Sequence, residues 1–128
     1  MKIEHFALQV EDPQAVARWY CEHLGFEVRK KLASSPFTHF LADAGGRSMI
    51  EIYHNESYPV PDYRSMSPTT LHLAFVCPDI RKTVEGLQAA GAILVSEGPV
   101  GDDQLAMLRD PWGLSIQLCR RGKPLLPG

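Results

Sequence analysis

Residues 4–13 read EHFALQVEDP, and residues 71–80 read LHLAFVCPDI, which is nearly the same phrase. Both stretches begin an apolar run with a histidine and reach an aspartate seven residues later: His5 and Asp12 in the first, His72 and Asp79 in the second. The match continues, because Asp43 and Asp110 each begin a glycine-containing turn (DAGG and DPWG) 38 residues after the histidine. This recurring spacing predicts a duplicated module.

Each copy of the module is predicted to contain a strand, a helix and then three short strands. The helices follow Asp12 and Asp79, which suit the N-cap position, and they end at Gly25 and Gly91. Between those limits the apolar residues recur at spacings of three and four, as on one side of a helix. The predicted strands cover residues 3–10, 25–33, 37–43 and 47–54 in the first copy, and 69–76, 92–97, 103–109 and 112–119 in the second.

The chain is predicted to form one domain of the α+β class, built from two tandem βαβββ modules. The first module covers about residues 1–54 and the second about 69–120, followed by a tail at 121–128. Residues 55–68 carry three prolines and are interpreted as the linker. Because a module of about 60 residues buries little surface by itself, one face of each sheet is expected to be covered by its helix. A partner module or a ligand would fill the other face.

Composition and charge exclude several classes of partner. The formal net charge is −2, the pI is about 6.2 and no basic run occurs, so neither nucleic acid nor a membrane is an expected partner. The sequence has no stretch of 18 apolar residues and no signal-like N-terminal pattern, which predicts a soluble cytoplasmic protein. The three cysteines have no CxxC spacing, so neither a disulfide framework nor a thiolate zinc site is expected.

Alternation along the strands separates a core face from a face with one polar residue per strand. The first and last strands of both modules carry these residues at matched positions: His5, Glu51, His72 and Gln117. Two imidazoles, a carboxylate and an amide oxygen can together bind a divalent ion such as zinc, nickel, iron, manganese or cobalt. The alternative is a set of polar side chains that are solvated or hydrogen-bonded on a half-exposed sheet.

Five segments of the sequence together resemble the vicinal oxygen chelate superfamily: EHFALQV, WYCEHLGFEV, MIEIY, LHLAFVC and DPWGLSIQL. This superfamily includes glyoxalase I, fosfomycin-resistance proteins, bleomycin-binding proteins, methylmalonyl-CoA epimerase and the extradiol dioxygenases. The resemblance covers residue 2 to about residue 120. It implies a curved, open, mixed sheet around a central cavity, and commonly a homodimer. It also implies that His5, Glu51, His72 and Gln117 are the metal ligands.

The fourth ligand position departs from the family pattern, since it is usually glutamate in the active members and is Gln117 here. The fosfomycin and extradiol types draw on a glutamate at that position, so the resemblance favours them less. Glu51 is then the remaining carboxylate, and we predict a glyoxalase-like lyase or isomerase with Glu51 as the base and a metal-stabilised enediolate. The alternatives are a non-catalytic binding protein of the bleomycin-resistance type, a module used for assembly or regulation, and a dioxygenase-like member.

The same face supplies the residues of a predicted substrate pocket: Met49, Tyr53, Phe37, Met107 and Ser115. Its walls are expected to be lined by Phe37 and His39 or, alternatively, by Leu105 and Met107. The expected substrate is a small molecule with a carbonyl or vicinal oxygens and an apolar or aromatic part. A glutathione conjugate needs cations for its carboxylates, and the sequence shows no clear cluster of arginine or lysine for them: Arg109 and Arg47 are candidates, and the alternative is that neither serves. Met49 and Met107 could instead fill space between the two modules.

Overall fold

The computed structural model describes residues 1–127, and Gly128, the last residue of the predicted tail, lies outside the described residues. The chain divides into two compact units, the first being Met1–Pro61 and the second beginning at Asp62. Among the described residues, each unit contains one α-helix and four strands, and the 3-10 helix Tyr63–Ser65 lies in the second unit. The α+β class and the two tandem βαβββ modules are therefore confirmed.

The first unit is an open, mixed sheet with one helix on it. Its elements in chain order are β1 (His5–Gln9), α1 (Pro13–Leu24), β2 (Glu27–Lys31), β3 (His39–Ala42) and β4 (Met49–Tyr53). The strand order is β1-β4-β3-β2, in which β1 runs parallel to β4 and the other neighbours are antiparallel. The core lies between α1 and the sheet, where Tyr20, Leu41 and Ile52 are fully buried.

The second unit repeats this arrangement. Its elements are β5 (Leu73–Val76), α2 (Ile80–Ala89), β6 (Ile93–Val100), β7 (Asp103–Arg109) and β8 (Ser115–Arg120). The strand order is β5-β8-β7-β6, with β5 parallel to β8. Val84 of α2 is fully buried together with Leu108 and Ile116 of the sheet. In each unit, therefore, the helix covers one face of the sheet, and the opposite face is called the helix-free face below.

The helices begin where the sequence predicts. The Asp12 carboxylate accepts a hydrogen bond from the Ala15 N–H at 3.1 Å, and the Asp79 carboxylate accepts one from Lys82 N–H at 3.2 Å. Each bond satisfies an N–H that has no partner inside the helix. Helix α1 ends at Gly25, whose φ of 72° is the left-handed conformation that glycine adopts without strain. None of the described helices is long and apolar enough to cross a membrane.

The two aspartate turns have the same design but different burial. In DAGG, one Asp43 oxygen accepts a hydrogen bond from the Gly46 N–H at 3.0 Å. In DPWG, one Asp110 oxygen accepts two, from the Trp112 N–H at 2.9 Å and the Leu114 N–H at 3.0 Å. Asp110 is 2% exposed, whereas Asp43 is half-buried. The second turn therefore depends on its carboxylate more than the first.

The predicted strand at 69–76 is too long, since β5 begins only at Leu73. Pro68 has no N–H for a ladder, and the preceding Ser67 carbonyl accepts hydrogen bonds from the Thr70 N–H at 2.9 Å and the Leu71 N–H at 3.4 Å. These bonds curl the chain into a turn. As a result, His72 lies just ahead of the strand instead of within it.

Candidate functional site

The first unit brings two of the predicted ligands onto its helix-free face. Strands β1 and β4 pair in a register that sets Ala7 beside Glu51, so His5, two residues before Ala7, lies diagonally across from Glu51. The strand spacing and rise put their Cα atoms roughly 8 Å apart. Alternation places Ile50 and Ile52 in the core and leaves Glu51 half-buried on the other face. Imidazole and carboxylate are thus held at neighbouring positions by a rigid parallel pair of strands.

The ring of His5 is oriented by two contacts. Its Nδ1 lies 2.9 Å from a Glu4 carboxylate oxygen, and its ring packs edge-on against Phe40 with the centroids 5.5 Å apart. A histidine that donates its Nδ1–H to a carboxylate keeps the lone pair on Nε2, which is the atom a metal would use. The Glu4 contact therefore suits His5 for a role as a ligand.

The second unit repeats the arrangement with His72 and Gln117. Ala74 of β5 pairs with Gln117 of β8, and His72 lies two residues before Ala74, just ahead of the strand. His72 Nδ1 is 2.8 Å from the Pro68 carbonyl oxygen, so this ring too has its Nδ1–H bonded and its Nε2 lone pair available. His39 and His54 make similar contacts to carbonyls, so the contact fixes a tautomer and does not by itself identify a ligand.

Gln117 has a weak partner in Cys119, two residues along the same strand. The Cys119 sulfur lies 3.5 Å from the Gln117 side-chain oxygen, and the cysteine is 4% exposed. Burial raises the pKa of the Cys119 thiol, so at neutral pH it is protonated and acts as a donor. Cys119 is therefore suited to orienting the amide and not to nucleophilic attack.

A cleft of about 280 Å³ opens beside Gln117 within the second unit. It is lined by residues 96–100 of β6 together with Leu105, Met107 and Gln117. Leu105 and Met107 supply apolar walls, and the Gln117 amide is a hydrogen-bonding group at the same surface. Gly98 pairs with Leu105, and a Cβ added at Gly98 would have no described atom within 4 Å. The missing side chain of Gly98 therefore helps to keep this cleft open.

We predict that Gly98→Val closes the cleft without unfolding the protein. Gly98 has no positive φ, and valine suits a strand better than glycine, so stability should stay level or rise by about 0.5–1 kcal/mol. Indole titration, followed by the shift of the Met107 methyl group in ¹H–¹³C spectra, measures access to the cleft. The affinity for indole is expected to be at least tenfold weaker for Gly98→Val than for Gly98→Ala, whose side chain is smaller. Equal responses would show that the cleft does not bind the probe.

The other predicted pocket residues have varied surroundings. Met49 and Tyr53 are half-buried and flank Glu51 on β4. Phe37 lies in the turn before β3 with φ of 55°. Ser115 is 2% exposed, and its hydroxyl accepts a hydrogen bond from Arg109 at 3.3 Å. His39 does not line a helix-free face: it pairs with Ile52 and is 6% exposed, so the expectation of a pocket wall at His39 is wrong.

The two arginines considered for a glutathione carboxylate differ in availability. Arg109 donates to three backbone carbonyls, those of Tyr63, Met66 and Gly113, in addition to Ser115. Its guanidinium is therefore occupied by the protein itself. Arg47 is exposed after the DAGG turn. A cationic subsite for a dicarboxylate is consequently not built around Arg109.

Each unit contributes two of the four predicted ligands. Among residues 1–127, no three His, Cys, Asp or Glu side chains are gathered closely enough to hold a metal ion. The donor chemistry itself, imidazole with a carboxylate or amide oxygen, fits a borderline divalent ion and has the orienting second contacts that such ligands carry. Sequence reasoning missed the roles of Arg109 and Gly98. An isolated glycine in a strand pattern was the available signal for the latter.

Comparison with known proteins agrees with the fold described above. A profile of the glyoxalase/bleomycin resistance protein/dioxygenase superfamily matches residues 2–118. No curated protein sequence matches the chain significantly.

Among solved structures, the fold is similar to that of a glyoxalase family protein from Bacillus cereus, with a TM-score of 0.79, 19% identity, and coverage of 94% of this chain and 93% of that one. It is similar to TnmS3, an antibiotic-binding protein from Streptomyces sp. CB03234, with a TM-score of 0.74, 18% identity, and coverage of 95% and 97%. It is also similar to the fosfomycin resistance protein FosX from Listeria monocytogenes, with a TM-score of 0.72, 19% identity, and coverage of 94% and 93%.

Proposed function

Because the chain belongs to the glyoxalase/bleomycin resistance protein/dioxygenase superfamily, we propose that it is a metal-dependent lyase or isomerase that moves a proton at a carbon next to a carbonyl. The observation that supports this proposal is a histidine and an oxygen donor at matched positions of each unit: His5 and Glu51 on the paired strands β1 and β4, and His72, just ahead of β5, with Gln117 on the neighbouring β8. Both histidines have Nδ1 engaged, which suits Nε2 for coordination.

In this proposal the four residues would hold one divalent ion of zinc, nickel, iron, manganese or cobalt. When bound, the ion would polarise the substrate carbonyl and stabilise the negative charge of an enediolate. With one carboxylate among the four ligands, the site would keep a net positive charge, which strengthens that stabilisation. The disadvantage of this arrangement would be that the amide oxygen of Gln117 binds a metal ion more weakly than a carboxylate does.

Glu51 is the proposed base. Of the four side chains, it alone is a carboxylate, and an amide cannot take up a proton. Its half-buried position on β4, flanked by Met49 and Tyr53, leaves it accessible to a substrate while limiting the surrounding water. A carboxylate positioned this way can remove a proton from the carbon next to the carbonyl and return it to the neighbouring carbon.

The proposed substrate is a compact molecule with a carbonyl or vicinal oxygens and one apolar part. Leu105 and Met107 favour an apolar group in the cleft of the second unit, and Gln117 beside them favours an oxygen near that group. Proton exchange offers a direct test that needs no knowledge of the product. Hemithioacetals, 2-oxo compounds and epimerisable thioesters are incubated with the metal-loaded protein in D₂O, and deuterium at the carbon next to the carbonyl is followed by ¹H NMR.

A second candidate function is the binding of a small molecule without chemistry. The absence of a cluster of three ligating residues among residues 1–127 and the presence of the cleft favour it. The antibiotic-binding protein TnmS3 has a similar fold, although at 18% identity that likeness concerns the fold alone. Binding of cleft ligands with no metal uptake and no proton exchange would support this function over the first.

We also propose that the protein forms a homodimer. Strands β1 and β5 are edges of their sheets and carry exposed apolar side chains, with Phe6 50% and Val76 85% exposed. Unpaired strand edges of this kind readily pair with another chain. Light scattering coupled to size-exclusion chromatography should give twice the 14.3 kDa chain mass, and a monomer mass would contradict the proposal.

A further inference from the structure

Arg109 is a half-buried cation, and its hydrogen-bond partners among residues 1–127 are all neutral groups. It lies at the end of β7, on the helix-free face opposite Ser115. One guanidinium nitrogen donates to the carbonyls of Tyr63 and Gly113, both at 3.0 Å, and the other donates to the carbonyl of Met66 at 3.0 Å. A guanidinium is suited to holding several carbonyls, because its N–H donors are fixed in one plane. Each hydrogen bond that it donates is also stronger than one from a neutral donor, because the guanidinium is charged.

These bonds join two segments that are far apart in sequence. Tyr63 and Met66 belong to the stretch around the 3-10 helix, while Gly113 belongs to the turn between β7 and β8. Arg64 adds a bond from its guanidinium to the Pro111 carbonyl of the same turn. A Cβ added at Gly113 would lie only 2.9 Å from the Arg64 backbone nitrogen, so the absence of a side chain allows this close approach. The stretch 63–66 is therefore seated firmly on the turn.

Residues 63–66 lead directly into the segment that orients the His72 ring. After Met66, the Ser67 carbonyl closes the turn over residues 67–71, and the Pro68 carbonyl accepts a hydrogen bond from His72 Nδ1 at 2.8 Å. Because β5 begins at Leu73, His72 has no place in the strand pairing. Its ring orientation consequently depends on the position of Pro68.

We propose that Arg109 is a positioning residue for His72. By holding the carbonyls of Tyr63 and Met66, it sets the Pro68 carbonyl where it captures the His72 Nδ1–H, which keeps the Nε2 lone pair exposed. The effect of Arg109 on metal binding rests on the proposed function, whereas its control of the His72 tautomer is independent of that function. The first module works differently, since the residue matched to Arg109 is Ala42 and His5 is oriented by its neighbour Glu4.

The histidine tautomers can be read directly from ring ¹⁵N shifts in two-dimensional ¹H–¹⁵N spectra of the metal-free protein, at a pH where the rings are neutral. In the wild type, His72 should be the Nδ1–H form. In Arg109→Gln, it should become mostly the Nε2–H form that free imidazoles prefer, while His39 and His54 keep their wild-type signals. Arg81→Gln, which removes an exposed cation paired with Glu97, is the matched control and should change none of them.

The proposal is overturned if His72 in folded Arg109→Gln keeps the wild-type tautomer. Should that variant not fold, Arg109→Lys provides the same reading. Lysine retains the charge but cannot hold Tyr63 and Met66 together, so a mixture of tautomers is expected, and an unchanged His72 again overturns the proposal. Zinc titration of the same proteins should show a tenfold to hundredfold loss of affinity on Arg109→Gln. A wild type that takes up neither zinc nor, in the same titration, nickel, iron, manganese or cobalt would count against the proposed function, and the tautomer reading would still decide the role of Arg109.

Discussion

Replacing Glu51 by glutamine is expected to lower kcat by about 10²–10⁴, the range that a positioned general base contributes. Glutamine has nearly the same shape and keeps an oxygen that can bind a metal ion, so the site should still load. It cannot accept the substrate proton, because an amide oxygen is a very weak base. Deuterium exchange next to the carbonyl, measured on samples of known metal content, would separate loss of the base from loss of the ion.

Glu4→Gln is the matched control for this experiment. Glu4 is the other carboxylate near the first donor pair, and its contact with His5 Nδ1 can be kept by the amide oxygen of glutamine. We expect less than a tenfold change in kcat for it. If Glu51→Gln keeps the wild-type rate at equal metal content, Glu51 is not the base, and the proton must be moved by another group.

Replacing Asp110 by alanine is expected to lower the free energy of unfolding by about 3 kcal/mol. The carboxylate is buried and accepts hydrogen bonds from the N–H groups of Trp112 and Leu114. Removing it leaves two backbone donors without this acceptor, and each such loss costs about 1–3 kcal/mol. Urea unfolding followed by circular dichroism measures the change.

The duplicated design of the chain provides a control at Asp43. This residue begins the equivalent turn of the first unit, but within residues 1–127 its carboxylate accepts one hydrogen bond, from the Gly46 N–H, and it is only half-buried. Asp43→Ala should therefore cost about 1 kcal/mol. Equal losses for the two variants would mean that burial of the Asp110 carboxylate is not what makes the second turn important.

The fold could be predicted from the sequence because its determinants are local and occur twice. Asp12 and Asp79 act as N-caps through contacts to residues three positions away, which a sequence displays directly. Alternation in β4 separated Ile50 and Ile52 from Glu51, since side chains on a strand must alternate. The register of β1 on β4 follows from the same alternation, because a slip of one residue would expose the core face.

The features that could not be predicted depend on residues distant in sequence. Arg109 contacts Tyr63 and Met66 more than 40 positions earlier, and an arginine at a strand end gives no sign of such partners. Alternation within β3 tells which residues share a side of the strand with His39. The face of the sheet to which that side belongs is set by the pairing of His39 with Ile52, which the sequence does not display. The late start of β5 follows from the turn after Pro68, a competition between local hydrogen bonds and strand pairing that periodicity does not resolve.

The metal content of the purified protein tests the central claim most directly. The protein is prepared without a metal-affinity tag and analysed for its elements beside His72→Ala, which removes one imidazole of the second donor pair. We predict that the wild type carries, or takes up on dialysis, about one equivalent of zinc, nickel, iron, manganese or cobalt, and that the variant loses it, as expected when a coordinating imidazole is removed. A wild type that stays empty after dialysis against each of these ions would contradict the metal-dependent function and leave a pocket that only binds its ligand.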